Sequence, residues 1–154
     1  MKRILFTRPD GGLSVVIPVI NTLGEAEGFT EADALERALA KLPADALNVR
    51  VVDETDIPTD RTYRNAWMDA GSGSVTHDMT KAREIHKNKL RELRAPKLAA
   101  LDVDYIRADE AGNAALKTQI AQQKQALRDV TADPAIAAAQ TVDELKLVIP
   151  EIFI

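Results

Sequence analysis

MTKAREIHKNKLRELRAPKLAALDVDYIRADEAG, residues Met79 to Gly112, and NAALKTQIAQQKQALRDV, residues Asn113 to Val130, together decide how this chain is built. At 100° per residue, Met79, Ala82, His86, Leu90, Leu93 and Leu101 fall on one stripe of a helix. Leu116, Ile120, Leu127 and Val130 make a second stripe on a second helix, with Gln123 between them. Asp78 is placed to cap the first arm and Asn113 the second, and Gly112 permits the reversal between them. The pattern predicts a helical hairpin. Pro96 falls inside the first arm, where a proline costs about 3 kcal/mol and removes a backbone hydrogen bond, so a kink or break is expected near Arg94–Pro96. About 30 residues at 1.5 Å rise still make a rod of roughly 45 Å. Two helices with one narrow stripe each do not bury a core alone. The rod therefore needs the N-terminal region, a copy of itself or another protein to lie on.

Working outward towards the N-terminus, residues 3–7 and 13–19 are apolar, β-branched runs flanking Arg8-Pro9-Asp10-Gly11-Gly12. Pro sets φ, Asp tolerates the bend and Gly takes positive φ, which predicts a β-hairpin. Asn21 to Gly28 reads as loop. Thr30 caps a helix from Glu31 to about Leu42, with Ala34, Leu35, Ala38, Leu39 and Leu42 as its apolar face and Pro43 as its stop. Leu47 to Val52 alternates as a third strand, completing a β-β-α-β domain over residues 1–60. Residues 61–78 read as a linker. It carries an aromatic anchor, Tyr63 and Trp67, and a flexible Gly71-Ser72-Gly73-Ser74 link. Residues 79–154 then hold the hairpin and an apolar tail. In that tail Asp133-Pro134 opens a short turn and Thr141 to Glu144 forms a capping box. The tail ends in Leu145, Leu147, Val148, Ile149, Pro150, Ile152, Phe153 and Ile154, which must dock to stay soluble. The predicted fold class is α+β.

Composition narrows the class of function. The chain has 154 residues, a net charge of −4, 45% hydrophobic and only 4% aromatic residues, so its core is thin and partly alanine. Residues 1–70 carry eight basic and twelve acidic side chains, whereas Lys81 to Lys97 holds seven basic residues against Glu84 and Glu92. Opposite signs along one chain suit packing between copies or against a charged neighbour. Cysteine is absent, which excludes disulfides and thiolate metal sites. The apolar run after Met1-Lys2-Arg3 is too short for a signal-peptide core and no run is long enough to span a bilayer. The expectation is a soluble, cytoplasmically made protein with no membrane partner.

Chemistry-bearing patterns are weak. His77 and His86 stand nine residues apart and share no spaced ligand set. Capping accounts for Asp78 and helix packing for His86. Asp53, Glu54, Asp56 and Asp60 lack the alternation and terminal Glu of a calcium loop and read as solvated acids. The Gly-Ser-Gly-Ser run has no following Lys-Ser/Thr, and no serine sits in a Gly-x-Ser-x-Gly elbow. No catalytic, metal or cofactor site is therefore expected. The strongest polar candidate is the basic run, with Lys81, Lys87, Arg91 and Arg94 as a possible contact surface. Its functional reading, contact with nucleic-acid phosphates through Lys81 to Lys97, ranks behind a solvated or partner-facing one, because acids interleave it, aromatic stacking partners are missing and the net charge is negative, so nucleic acid is not the expected partner.

Arg61-Thr62-Tyr63-Arg64-Asn65-Ala66-Trp67, Met79 to His86 and Ala95 to Asp102 together resemble a family of small proteins of tailed bacteriophages and prophages, over roughly residues 60–150. Lys124 to Val130 with an apolar, proline-containing end is similar to the C-terminal part of tail-fibre assembly proteins and tail assembly chaperones. Those commonly finish in Trp-Pro, where this chain has Ile149-Pro150. The resemblance implies a non-enzymatic part of the phage tail module, located in the virion. It would be a structural or adaptor protein of the tail, baseplate or tail-fibre region, with a tail-fibre chaperone as the alternative. Other tail or tail-fibre proteins are the implied partners, and several copies in one assembly are expected. The expected packing or interface anchors are Tyr63, Trp67, Leu90, Leu93, Leu101, Leu116, Ile120, Leu127, Ile149 and Phe153.

Overall fold

The computed structural model describes residues 1–20, 28–71 and 74–153. Most of the loop expected at Asn21–Gly28, the centre of the Gly-Ser link and the terminal Ile154 lie outside the described residues. The chain forms two compact units, Met1–Asp78 and Met79–Ile154. The α+β class holds, with strands in the first unit and long helices in the second.

In the first unit, β1 (Lys2–Thr7) is the central strand of an antiparallel sheet, between β2 (Leu13–Val16) and β3 (Leu47–Asp53). The predicted hairpin turn is present. Gly11 takes φ 77° and donates its N–H to the Arg8 carbonyl at 2.9 Å, while Pro9 and Asp10 fill the bend. α1 (Glu31–Ala40) starts at a reciprocal cap: the Asp33 N–H donates to Thr30 Oγ1, and the Thr30 N–H donates to Asp33 Oδ2 at 2.8 Å. It packs on β1 with Ala34 buried. Pairing places Ile4, Val16 and Val51 on one face of the sheet, and Leu5, Val15 and Arg50 on the other.

The linker expected at 61–78 is instead part of this unit. Trp67–Asp69 (β4) and Val75–His77 (β5) form a two-stranded ribbon, and Trp67 and Val75 bury themselves with Leu5, Leu13 and Val52. A three-stranded sheet has two apolar faces, and one ten-residue helix covers one. The ribbon covers the other, which is why the boundary falls at Asp78 rather than near residue 60. The alternation in β3 is likewise inverted from its apolar look. Val52 points into the core, while Leu47, Val49 and Val51 are exposed on the edge strand. Asn48 adopts φ 50° where the β1–β3 register shifts.

The second unit is the helical hairpin and its tail. α2 runs from Met79 to Glu110 without interruption, so the break expected at Pro96 does not occur. Pro96 is exposed, so the pyrrolidine ring meets water rather than a packed neighbour. α3 (Ala114–Asp129) returns after a tight turn. The Gly112 N–H donates to the Asp109 carbonyl at 3.0 Å and the Asn113 N–H to the Ala108 carbonyl at 2.9 Å, with Gly112 at φ 65°. Asn113 Oδ1 then accepts from the Leu116 N–H at 3.0 Å, which caps α3. The tail docks through α4 (Pro134–Ala138) and α5 (Val142–Leu147), burying Ile136 and Leu145.

Candidate contact surfaces

Much of the basic run is turned to structural use. Along α2, Arg83 Nη2 donates to the Ala139 carbonyl at 2.8 Å, and His86 Nε2 lies 2.9 Å from the Val148 carbonyl oxygen. Arg94 Nη1 donates to the Arg128 carbonyl at 2.7 Å, and Lys97 Nζ to the Ile152 carbonyl at 2.7 Å. Ala139 and Val148 are the C-caps of α4 and α5, and Arg128 lies in the last turn of α3. The ends of three helices thus meet a nitrogen donor from α2, where main-chain oxygens lack intrahelical partners and the dipole favours positive charge. Burial pushes the His86 imidazole below its ordinary pKa, against the pull of the Val148 carbonyl and helped by Lys89. It therefore serves as a neutral donor.

Of the four basic contact residues named from the sequence, Arg94 is turned to the end of α3. Lys87 pairs with Glu84 at 2.8 Å and Arg91 bonds Asn88 on the same helix. Lys81 is exposed at the start of α2. Arg83 and Lys97, which sequence reasoning did not single out, matter more to the fold. Their signal was spacing: Arg83, His86, Leu90, Arg94 and Lys97 follow one another by three or four residues and so share one helix face. Nearer the turn, the Tyr105 ring lies between Lys117 and Lys124, at 5.3 and 5.0 Å from its centroid, and Lys124 also pairs with Asp102.

The expected anchors divide into three groups. Tyr63, Trp67, Leu90, Ile120 and Leu127 are buried. Leu93, Leu116 and Ile149 are exposed, and Leu101 and Phe153 are half-buried. Leu93 shares its side of α2 with buried Ala82 and His86, within about 20° of each at 100° per residue, yet stays exposed. A hollow of about 440 Å³ opens between α2 and α3 near the turn, lined by Leu101, Asp104, Ala108, Leu116, Ile120 and Gln123. A second, of about 470 Å³, lies beside α1 between Phe6, Val16, Ala34 and Arg37. Both are open, and their linings are mainly aliphatic.

Asp53 and Asp56, two of the acids in the connector, cap each other across the 3-10 turn at Glu54–Asp56, and Lys2 holds the Asp53 carboxyl below its ordinary pKa. Among the described residues no group of three or more His, Asp or Glu is gathered to hold a metal ion, and no helix is long and apolar enough to cross a membrane. Compared with protein-family models, curated proteins and solved structures, the chain matches none. What the geometry itself offers is apolar surface at defined places, suited to burial against another protein.

Proposed function

We propose that this chain is a non-enzymatic structural or adaptor protein of a tailed-bacteriophage particle, in the tail, baseplate or tail-fibre attachment region. The observation that carries the reading is that each unit leaves its own apolar row outside. In the first it is Leu47, Val49 and Val51 on an edge strand, and in the second Leu93, Val103 and Ile106 on α2. An uncovered edge strand adds further strands through its main chain, and an apolar helix face takes another helix. Two such surfaces on one chain suit a part that joins neighbours. The resemblance of residues 61–67, 79–86 and 95–102 to phage and prophage proteins supplies the setting.

The test is quantitative mass spectrometry of purified particles alongside the lysate that produced them. A structural part is expected at a constant ratio to the tail proteins. Abundance in the lysate with absence from the particle replaces this reading with that of a fibre chaperone.

A further inference from the structure

α2 carries a second apolar stripe, on the side away from α3. Leu93, Pro96, Ala99, Ala100, Val103 and Ile106 follow at intervals of three and four residues or stand adjacent, and all six are exposed. Leu93 retains 53% of its accessible surface, Val103 47% and Ile106 57%. At 100° per residue they lie within an arc of about 140°, and no charged residue between 93 and 106 falls inside it. The outer face of a solvated helix is normally charged there, so this stripe is built to be covered.

Its sequence is complementary to itself when reversed. Pass a two-fold axis between Ala99 and Ala100, perpendicular to the helix, and each residue comes level with the one whose number completes 199. Pro96 then faces Val103 at the centre of the stripe and Ala100 meets its own copy, while Leu93 and Ile106 come level on opposite flanks of the seam. Just beyond these pairs and on the same side of the helix, Glu92 faces Arg107 and Lys89 faces Glu110. A parallel arrangement sets Glu92 on Glu92 and Arg107 on Arg107. The alanines at the centre allow the axes to close to about 8 Å, the near end of helix–helix packing. We propose that this face of α2 binds the same face of a second copy of the chain, antiparallel, about a two-fold axis at Ala99–Ala100. The proposal rests on the contact function argued above for the second unit, and names the partner of that surface.

The absence of cysteine makes the register directly testable. With Ala100→Cys, two thiols meet one residue apart along the axis, so the full-length protein is expected to form an inter-chain disulfide dimer in air. With Leu93→Cys alone the thiols stand about 20 Å apart by helix rise and stay reduced, while Pro96→Cys mixed with Val103→Cys cross-links. Arg107→Glu is expected to weaken the unmodified dimer about tenfold in sedimentation equilibrium, and Glu92→Arg added to it to restore most of that loss. Circular dichroism of each variant checks that the helices are kept. A monomer at every concentration overturns the proposal, as does self-linking of Leu93→Cys or the failure of Glu92→Arg to rescue. The particle reading stands or falls separately: a cross-linked dimer missing from particles refutes the placement alone, and a monomer present in particles refutes the dimer alone.

Discussion

His86 on α2 and Val148 at the end of α5 are joined by one hydrogen bond, Nε2 to main-chain oxygen at 2.9 Å, across 62 residues of sequence. The bond belongs to a neutral imidazole in a buried place.

Its consequence is a pH dependence with a definite sign. Burial lowers the folded pKa of His86 below the ordinary 6.5, so the unfolded chain takes up a proton at a pH where the folded one refuses it. This contribution to stability is complete above that ordinary value and is lost as pH falls from there towards the folded pKa. The urea midpoint of the second unit is expected to be lower at about pH 5.5 than at about pH 7.5, and His86→Gln to shrink the difference. Glu84, held below its ordinary 4.5 by Lys87, acts in a separate window at lower pH. Equal wild-type midpoints at the two values refute the assignment.

Arg94 joins the middle of α2 to the end of α3. Arg94→Met keeps the aliphatic stem but leaves the Leu127 and Arg128 carbonyls without the guanidinium that bonds them at 3.4 and 2.7 Å. The expected loss is about 1 kcal/mol, read as a lower melting temperature. Lys81→Met, at an exposed position, serves as the comparison and is expected to change little.

Pro96 makes the opposite prediction. It sits exposed within a continuous helix, so Pro96→Ala restores a backbone donor to the ladder without opening a cavity. Stability is expected to rise by roughly 1–3 kcal/mol, measured by chemical denaturation. A fall shows that the ring makes a contact worth more than the lost bond.

Trp67→Ala tests whether residues 61–78 belong to the first unit. Trp67 shares a core with Leu5, Leu13, Val52 and Val75, so its removal is expected to cost about 3–5 kcal/mol and to unfold the sheet. A linker residue costs almost nothing. Hydrogen exchange resolved to β1 distinguishes the two outcomes, because loss of protection in β1 follows only from the first.

Gly112→Ala probes the hairpin turn. No atom lies within 4 Å of an added Cβ, so the cost comes only from holding alanine at φ 65°. About 1 kcal/mol is expected, with the hairpin retained.

The sequence by itself determined the turns and helix ends of this protein. Pro9-Asp10-Gly11, the Thr30–Asp33 cap and the Gly112-Asn113 reversal each act within a few residues, through fixed φ, a capping oxygen or a left-handed glycine. Such local chemistry is the same before and after the chain folds. Which face each element hides was decided only by tertiary structure. Val52 and not Val51 enters the sheet core because the 67–77 ribbon covers that side. Leu93 stays outside while Arg83, His86 and Arg94 turn inward and Lys97 bonds from an exposed position, because the ends of α3, α4 and α5 and the last turn bring main-chain oxygens to them from 34 to 62 residues away. Burial and bonding at these positions depend on partners distant in sequence, and no periodicity in α2 or β3 records where those partners will stand.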